Sequence, residues 1–258
     1  MTTLQGGARQ RRRTALVTGA SQGLGAAIAL RLAREGYDVA VTELTKAPLD
    51  DIVSKIKGAG ARAEAIVLDV RAQASVESAI AHAVRAFGEL DVLVNNAGVT
   101  LRRDAIDVTR DEWHELMEVN LTGTFFMCQQ MAKHLVATKR SGCIVNLAST
   151  HGVVALAQRS TYGIAKGGIV HMTRMLAYEW AQQKIRVNAI APGTIETPSR
   201  AAYFAENPQA REAMLARVPA GHFGTPEDVA GAVAYLAGPD GGFVTGQTLL
   251  LDGGLTTY

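Results

Sequence analysis

The sequence predicts an α/β fold in which a parallel sheet of seven strands is covered by helices on both faces. Short apolar runs of strand length alternate with longer segments of helical periodicity along almost the whole chain. This alternation indicates repeated strand–helix–strand units, in which the strands are parallel. Predicted strands such as Val92-Leu-Val and Cys143-Ile-Val are continuously apolar, which is typical of strands buried on both faces. No linker, repeat or low-complexity tract interrupts the pattern, so residues 1–258 are predicted to form a single domain.

Seven segments are short, apolar and rich in β-branched residues, so each is predicted to be a strand. They cover residues 14–18, 37–42, 63–70, 90–95, 142–148, 185–191 and 248–252. Longer segments between them have apolar residues at helical spacing and are predicted to be helices. They cover residues 24–35, 49–59, 75–87, 109–137, 161–182 and 226–237.

Local signals support two of the helix starts. Thr109 and Glu112 have the spacing of a capping box, in which each side chain accepts a hydrogen bond from the other residue's backbone N–H. Thr225 precedes Pro226, and threonine followed by proline is typical of the first positions of a helix. The stretch 193–223 contains three prolines and no regular pattern. Because connections of about 30 residues in a compact domain are usually functional, we expect a flexible or helical insert there.

Composition and charge exclude several classes of protein. The net charge is only +2, and four arginines lie among residues 1–14 without an acid. We therefore expect residues 1–12 to be a flexible arm, and no broad basic surface indicates nucleic-acid binding. No apolar run is long enough to span a membrane, and the first residues are too polar for a secretory signal. The two cysteines, Cys128 and Cys143, suit a reducing compartment, so we expect a soluble cytoplasmic protein.

A glycine-rich turn joins the first strand to the first helix, with the sequence Thr18-Gly19-Ala20-Ser21-Gln22-Gly23-Leu24-Gly25. Glycines allow a sharp turn and a close approach of the backbone to a ligand. The free N–H groups at the start of the helix point toward a bound pyrophosphate. In the first strand–helix–strand unit of such a sheet, this turn predicts a dinucleotide site.

Polar or small residues follow the next three strands. Glu43 ends the second strand, where a carboxylate accepts hydrogen bonds from an adenosine ribose diol and repels a 2′-phosphate. Asp69-Val70 ends the third, where the carboxylate can meet the adenine amino group, and Asn95-Asn96-Ala97-Gly98 ends the fourth. Glu43 therefore favours NAD as the cofactor, with NADP as the alternative.

The strongest chemical signal joins Ser149 to the pair Tyr162 and Lys166. A tyrosine and a lysine four residues apart lie on one face of a helix. A nearby ammonium group favours the phenolate and is expected to lower the tyrosine pKa. Tyr162 is then a candidate general acid and base for an alcohol or carbonyl oxygen, and Ser149 could hold the same oxygen by a hydrogen bond.

Taken in order, these motifs resemble the short-chain dehydrogenase/reductase family over about residues 13–252. The matching elements are Thr18-Gly19-x-x-x-Gly23-x-Gly25, Asp69, Asn95-Asn96-Ala97-Gly98, Asn120, Ser149, Tyr162-x-x-x-Lys166 and Pro192-Gly193. The resemblance implies a Rossmann-type doubly wound sheet. It also implies a catalytic tetrad in which Tyr162 transfers the proton and Ser149 orients the substrate. Lys166 would bind the nicotinamide ribose and lower the pKa of Tyr162, and Asn120 would hold a proton-relaying water chain.

The resemblance also assigns the nicotinamide end of the cofactor site. After the sixth strand, Pro192-Gly193 leads to Ile195 and Thr197, which would contact the carboxamide, and residues 194–223 would form a substrate lid. The predicted cofactor-binding residues are Gly19, Ser21, Gln22, Gly23, Leu24, Gly25, Glu43, Asp69, Val70, Asn96, Ala97, Gly98, Tyr162, Lys166, Pro192, Gly193, Ile195 and Thr197.

The expected reaction is reversible hydride exchange between a nicotinamide and a secondary alcohol or ketone. Candidate substrate contacts are Thr100, Ser149, His151, Gln158, Arg159, Thr194, Arg200 and Tyr203. Their polarity favours a sugar, a polyol or a small hydroxy acid, because a site that hydrogen-bonds hydroxyl groups rejects apolar ketones.

Two alternatives are weighed against this interpretation. A 3-oxoacyl-[acyl-carrier-protein] reductase would need a basic docking patch, for which Lys139 and Arg140 are candidates. A non-catalytic nucleotide sensor would not need the Ser, Tyr and Lys set.

The histidines show no metal-ligand spacing, so no metal site is expected. In the family, the long fourth and fifth helices pair subunits, so a homotetramer is expected.

Overall fold

The computed structural model describes residues 11–257, and its central feature is a seven-stranded sheet in which all paired strands are parallel. The strands are β1 (Thr14–Val17), β2 (Asp38–Glu43), β3 (Ala63–Val67), β4 (Val92–Asn95), β5 (Gly142–Leu147), β6 (Ile185–Pro192) and β7 (Thr248–Leu251). Their spatial order is β3-β2-β1-β4-β5-β6-β7. The chain therefore reverses its direction of winding between β1 and β4, and parallel α/β sheets bind ligands at such a point. The predicted fold class is confirmed.

Helices cover the sheet on both faces. They are α1 (Gly23–Arg34), α2 (Asp50–Gly58), α3 (Gln73–Phe87), α4 (Arg110–Met117), α5 (Gly123–Ala137), α6 (Ser160–Trp180), α7 (Pro198–Glu206), α8 (Pro208–Leu215) and α9 (Pro226–Ala237). One apolar core joins α1, α2 and α9 to the sheet, through residues such as Ile28, Ile52 and Val233. The other joins α3, α5 and α6, through residues such as Ile80 and Met131.

The long helix predicted over residues 109–137 is interrupted by a π-helical turn, Glu118–Thr122. Its predicted capping box is present, since Thr109 and Glu112 each accept a hydrogen bond from the other's backbone N–H. Within the turn, the hydroxyl of Thr124 donates to the carbonyl oxygen of Asn120 over 2.8 Å. Gly123 then packs so tightly on Val70 that an added Cβ would lie 2.8 Å from its side chain. We attribute the interruption of the helix to this side-chain hydrogen bond and this close approach. Neither can be detected from the spacing of apolar residues in the sequence.

The irregular stretch 193–223 contains the two short helices α7 and α8, each of which has a proline in its first turn. Thr197 caps α7 by accepting a hydrogen bond from the backbone N–H of Arg200. A small separate core of Phe204, Val218 and Phe223 holds the segment together. The rings of Phe204 and Phe223 stack at 5.1 Å between their centroids. The insert is therefore helical, and its role as a lid stays a prediction.

The predicted arm is only partly covered by the structure, because residues 1–10 lie outside the described residues. Arg11 and Arg12, at the end of the predicted arm, contact residues of the folded chain, and the flexibility of the arm stays a prediction. The guanidinium of Arg11 lies 2.8 Å from a carboxylate oxygen of Asp91, and that of Arg12 donates to the carbonyl oxygen of Gly60 over 2.9 Å. These contacts fix the approach to β1, because they pair cations with acceptors that only the folded chain brings together.

Within residues 11–257, both cysteines are free and buried. No helix in this part of the chain has the length and apolar character needed to cross a membrane. The same residues contain no group of three or more His, Cys, Asp or Glu side chains placed to hold a metal ion.

Asp91 is the electrostatic centre of the amino edge of the sheet. Its carboxylate accepts hydrogen bonds from Arg11, from the backbone N–H of Thr14 and from Arg140, each over 2.8 Å. Burial alone would raise the pKa of Asp91, but these donors outweigh burial and lower the pKa below its ordinary value. The ionised carboxylate therefore stabilises the fold at neutral pH, and that stabilisation is lost as the pH falls through the lowered pKa.

We expect Asp91→Asn to lower the free energy of unfolding at pH 7 by about 1–3 kcal/mol, because the charge-assisted bonds are lost. Chemical denaturation at pH 7 and again near pH 4 measures the effect. The difference between wild type and variant should shrink at the lower pH, because Asp91 of the unfolded chain, whose pKa is not lowered, begins to take up a proton there. Equal free energies of unfolding of wild type and variant at pH 7 would contradict the proposed contribution of the Asp91 hydrogen bonds to stability.

Candidate active site

The glycine turn after β1 forms an open cradle at the carboxyl edge of the sheet. Gly19 and Gly23 have φ angles of +62° and +57°, which side chains rarely tolerate. Gly25 is excluded from carrying a side chain by packing, since an added Cβ would overlap the carbonyl oxygen of Gly19 and lie 2.6 Å from the amide nitrogen of Asn96. The turn therefore leaves its backbone and the start of α1 accessible to a ligand.

Thr18 and Asn96 tie the ends of β1 and β4 together beside this turn. The Thr18 hydroxyl accepts hydrogen bonds from the backbone N–H groups of Asn96 and Ala97, over 3.0 and 2.9 Å. The Asn96 amide donates to the carbonyl oxygens of Thr18 and Gly19, over 2.9 and 2.8 Å. This clamp keeps the crevice at the switch point in a fixed shape. Thr18 stands first in the glycine motif, but its position in the sequence did not indicate these hydrogen bonds.

A cavity of about 330 Å³ lies on one side of the clamp, at the ends of β2 and β3. Within it, Glu43 accepts a hydrogen bond of 2.7 Å from the Ser21 hydroxyl. Other predicted cofactor residues share this lining. The lining consists of Gly19, Ser21, Gln22, Thr42, Glu43, Leu44, Leu68, Asp69, Val70, Arg71, Asn96, Ala97, Gly98, Val99, Glu115 and Val119. The carboxylate of Glu43 is thereby held over the glycine turn, where an adenosine ribose would lie.

Arg71 also lines this cavity and was missed by the sequence analysis. Its guanidinium pairs with the carboxylate of Asp69 at 2.7 Å, and this hydrogen bond lowers the pKa of Asp69. The position of Arg71, two residues after Asp69 at the end of β3, could have indicated that its side chain lines the cavity. A cation therefore faces the adenine side of the site, already paired with an acid.

A second cavity, of about 390 Å³, continues from the first and shares Asn96, Gly98 and Val99 with it. It contains the predicted catalytic serine, tyrosine and lysine. Its lining consists of Leu24, Asn96, Gly98, Val99, Thr100, Leu147, Ala148, Ser149, Tyr162, Lys166, Pro192, Gly193, Ile195, Thr197, Ser199, Arg200 and Tyr203. One cleft thus runs from Glu43 past the glycine turn to Tyr162.

Ser149, Tyr162 and His151 form one polar group in this second cavity. Ser149 follows β5, and Tyr162 lies near the start of α6; both side chains line this cavity. The Ser149 oxygen also lies 3.2 Å from Nδ1 of His151 and accepts a hydrogen bond from its backbone N–H. The imidazole meets the Tyr162 ring edge-on, with 5.9 Å between the ring centroids. Ser149 and Tyr162 can therefore both contact one substrate oxygen.

Lys166 lies one helical turn after Tyr162 and is buried. Its ammonium donates a 2.7 Å hydrogen bond to the carbonyl oxygen of Leu147 and lies 5.6 Å from the centroid of the Tyr162 ring. Burial lowers the pKa of Lys166 to about 8. The lysine therefore faces the cleft as a cation that gives up its proton more readily than an exposed lysine.

Asn120, in the π-helical turn, holds the loop after β4. Its side-chain oxygen accepts from the backbone N–H of Val99 and its amide donates to the Val99 carbonyl oxygen, both over 2.8 Å. A Cβ added to Gly98 would lie 3.1 Å from this oxygen and 3.8 Å from the ammonium of Lys166. Asn120 and Lys166 thus meet at Gly98. The proton-relay role of Asn120 stays a prediction, because both ends of its amide are bonded to the Val99 backbone.

The expected lowering of the Tyr162 pKa by Lys166 was wrong for the protein without a bound ligand. Burial raises the pKa of Tyr162, and the opposing influences are the Ser149 hydrogen bond and the positive charges of Arg159 and Arg200. Lys166 points toward the Leu147 carbonyl oxygen instead of the phenolic oxygen. Arg159 and Arg200, which were predicted only as substrate contacts, therefore influence the pKa of Tyr162.

Several predicted substrate contacts do not line the cavity. Gln158 is held outside it, since its side-chain oxygen accepts a 2.8 Å hydrogen bond from Arg102. Thr194 uses its backbone carbonyl oxygen to accept from Gly224. His151 and Arg159 are not lining residues, but His151 contacts Ser149 and the charge of Arg159 acts on Tyr162. By contrast, Thr100, Arg200 and Tyr203 line the cavity as expected, and Ser199 joins them without having been predicted.

The cleft fits a nicotinamide dinucleotide. Its backbone cradle cannot accept side chains at Gly19, Gly23 or Gly25, Glu43 lies at one end, and a tyrosine and a lysine lie at the other. A nucleotide sensor would not require Ser149, Tyr162 and Lys166 together in the continuation of the cleft.

Comparisons with known proteins agree with this geometry. A family model described as Enoyl-(Acyl carrier protein) reductase matches residues 19–256. The chain is 40% identical over 247 residues to 3beta-hydroxysteroid dehydrogenase 1 of Eggerthella lenta, covering 95% of this chain and 94% of the relative. It is 37% identical over 240 residues to a 3-oxoacyl-[acyl-carrier-protein] reductase of Thermotoga maritima, covering 93% and 96%.

Two further similarities bear on the same cleft. The chain is 35% identical over 242 residues to 2-dehydro-3-deoxy-D-gluconate 5-dehydrogenase of Escherichia coli, covering 94% of each protein. The crystal structure of an actinorhodin polyketide ketoreductase variant with NADPH superposes with a TM-score of 0.90 at 36% identity, covering 96% of this chain and 98% of that one. The chain belongs to the short-chain dehydrogenase/reductase family and is an NAD(P)-dependent oxidoreductase.

Proposed function

We propose that the enzyme interconverts a secondary alcohol and a ketone on a small polar substrate, with Tyr162 as the general acid and base. The observation that carries this proposal is that Ser149, Tyr162 and Lys166 line one cavity, which is continuous with the dinucleotide cradle. The cofactor, when bound, supplies a nicotinamide ring that accepts or donates a hydride. Side chains of this chain bind the substrate and transfer the proton.

In the oxidative direction, the substrate hydroxyl hydrogen-bonds to Ser149 and to the phenolate oxygen of Tyr162. The hydroxyl proton moves to Tyr162 while the carbon-bound hydrogen leaves with its electron pair as a hydride, and a carbonyl group forms. In the reductive direction Tyr162 returns the proton to the oxygen of the new alcohol. Lys166 contributes a positive charge on the same helical face and would contact the nicotinamide ribose. Its pKa of about 8 suits a group that must pass a proton on.

The polar groups around the reacting oxygen favour a sugar, a polyol or a small hydroxy acid. His151 and Arg200 accompany Ser149 and Tyr162, and a site built to hydrogen-bond hydroxyl groups discriminates strongly against substrates that lack them. The volume of about 390 Å³ must hold the nicotinamide end of the cofactor as well as the substrate. The similarity to a sugar-acid dehydrogenase supports this choice.

The alternative activity on acyl-carrier-protein thioesters has weaker support from the structure, although a relative carries that name. The predicted docking residues Lys139 and Arg140 follow α5 and precede β5, at the edge of the sheet opposite to Tyr162. Arg140 is also engaged, since it bonds to the carboxylates of Glu89 and Asp91. These two cations are therefore poorly placed to guide a thioester into the cleft.

We propose NAD as the preferred cofactor. Glu43, held by Ser21 over the glycine turn, would accept hydrogen bonds from the ribose diol and repel a 2′-phosphate. Arg71 is the one cation lining this half of the cleft among residues 11–257, and its charge is already opposed by Asp69. NADP stays the alternative, since the ketoreductase neighbour carries NADPH.

We also propose that the protein is located in the cytoplasm.

We also propose a homotetramer. The helix α6, which carries Tyr162 and Lys166, presents Ile164, Met175 and Tyr178 to solvent, and Tyr178 is 88% exposed. Phe243 is fully exposed, and β7 exposes Leu249 and Leu250. Apolar surface of this kind on one helix and one edge strand marks protein–protein contact. Assembly through α6 would brace the helix that positions the catalytic tyrosine.

Tyr162→Phe is expected to lower turnover by about 100-fold or more, because it removes the group that exchanges the proton. Sugars, polyols, hydroxy acids and 3-oxoacyl thioesters should be assayed with each nicotinamide cofactor by absorbance of the reduced form. Binding of the reduced cofactor, followed by fluorescence, should change little in the variant. Near-normal turnover would show that another group handles the proton.

In the same assay, the wild-type rate of alcohol oxidation is expected to rise from neutral to alkaline pH. Oxidation needs the phenolate, and burial keeps the pKa of Tyr162 above its ordinary value against the charges of Arg159 and Arg200. A pH profile of kcat/KM that is flat up to pH 10 would count against Tyr162 as the base.

Catalytic efficiency with NAD is expected to exceed that with NADP by at least about 10-fold, a difference of about 1.4 kcal/mol. Glu43→Ser should narrow this ratio, because it removes the charge that repels the 2′-phosphate. Glu77→Ser, at an exposed acid on α3, is the matched control and should leave the ratio unchanged. Equal or better efficiency of the wild type with NADP would overturn the preference.

Light scattering at micromolar concentration is expected to give four times the chain mass of 27.3 kDa. Tyr178→Glu should reduce the assembled fraction, because it places a charge on the exposed apolar face of α6. A wild-type monomer under these conditions would rule out the proposed assembly.

A further inference from the structure

Two arginines near the reacting oxygen have no acidic partner. Arg200, in the first turn of α7, lines the cavity that holds Ser149 and Tyr162. Arg159 directly precedes α6 and lies three residues before Tyr162. Across residues 11–257, no carboxylate forms an ion pair with either guanidinium. The cavity lining itself contains no aspartate or glutamate.

The contacts that these two side chains do make leave their charges uncompensated. The guanidinium of Arg159 donates to the carbonyl oxygen of Leu101 over 3.2 Å. That of Arg200 lies over the ring of Phe204, 5.8 Å from its centroid. Both side chains are partly buried, and withdrawing a charge from water is unfavourable unless an opposite charge or hydrogen bonds compensate it. Here they also repel each other, since burial and then the charge of Arg200 lower the pKa of Arg159.

The positive charge is centred on the place where chemistry would occur. Arg159 and Arg200 both act on the phenol of Tyr162 and on the imidazole of His151. Burial, followed by the charges of Arg159 and Arg200, lowers the pKa of His151, so this imidazole is neutral at pH 7 and adds no cation of its own. An arrangement that costs stability and is aimed at the reacting oxygen indicates a bound anion.

The cofactor's phosphates are a poorer match for this pair than the substrate is. The pyrophosphate belongs at the glycine turn and the start of α1, where backbone N–H groups bind it. Neither arginine lines the half of the cleft that contains the glycine turn. Arg200 lines the half that contains Ser149 and Tyr162, and Arg159 donates to the carbonyl oxygen of Leu101 in the loop after β4.

We propose that Arg159 and Arg200 bind a carboxylate of the substrate, so that the enzyme acts on a small hydroxy acid or sugar acid and its oxo acid. This inference rests on the proposed function, because it identifies the substrate class of the same site. Guanidinium groups match a carboxylate through paired N–H donors. The acid group would lie a few atoms from the carbon that exchanges the hydride, with Ser149 and Tyr162 on the hydroxyl oxygen.

The test compares aldonic acids of four to six carbons with the polyols of the same length and with glucose 6-phosphate. We expect the wild type to oxidise at least one acid with a kcat/KM at least 10-fold above that of its polyol. Arg159→Met and Arg200→Met should each lower the acid-to-polyol ratio by about 10-fold or more, mainly through KM, because a charge-assisted hydrogen bond is lost. Arg103→Met is the matched control, since Arg103 is already paired with Glu112 at 2.5 Å, and should leave the ratio unchanged.

Three results would overturn the carboxylate site. The first is a preference for polyols or for the sugar phosphate over every acid. The second is an unchanged acid-to-polyol ratio in both variants, with melting temperatures showing that they fold. The third is a rise in the KM for the cofactor that accounts for the whole loss, because the arginines would then hold a cofactor phosphate.

A binding measurement separates this inference from the proposed function. Calorimetric titration of the protein with gluconate, in the presence of the reduced cofactor, needs no turnover. Gluconate binding that is lost in Arg159→Met supports the anion site even if no compound of the panel is oxidised, in which case the proposed reaction alone fails. Turnover of polyols with no detectable binding of any acid sustains the proposed reaction and overturns the carboxylate site.

Discussion

The proton on the Tyr162 hydroxyl depends on a balance between burial and positive charge. Burial in the cleft favours the neutral phenol, whereas Ser149, Arg159 and Arg200 favour the phenolate. Lys166 lies on the same helical face, but its ammonium is bonded to the Leu147 carbonyl oxygen. A ligand that draws this ammonium toward the cleft would shift the balance toward the phenolate. Burial and the surrounding positive charges together therefore set how readily the tyrosine exchanges its proton.

The parallel sheet provides the frame for this balance. Because β1 and β4 are neighbours that belong to opposite halves of the winding, their carboxyl ends separate into two loops. Thr18 and Asn96 bridge those loops with four short hydrogen bonds. One wall of the cleft is therefore backbone that glycine makes accessible, and the other is the tyrosine helix. Neither wall depends on long surface side chains for its shape.

The sequence was sufficient for the fold class, the order of the strands along the chain and many of the residues that line the cleft. Continuous apolar strands and the glycine turn have strong local signatures, which explains this success. The break at Glu118–Thr122 had no such signature, because it depends on Thr124 bonding to Asn120 and on Gly123 meeting Val70. Spacing likewise placed Lys166 near Tyr162 but could not show that its ammonium points elsewhere. Arg11 and Arg12 looked like a solvated arm because their partners lie far away in the chain.

The cluster around Asp91 occupies the amino edge of the sheet, whereas Tyr162 and the cradle occupy the carboxyl edge. The two are separated by the full length of the strands, and the cluster contributes no atom to the cleft. The charged contacts that stabilise the fold and the residues proposed to react thus lie at opposite edges of the same sheet. Engineering for heat tolerance can concentrate on the arginine-rich end, where gains in durability would leave the reaction untouched.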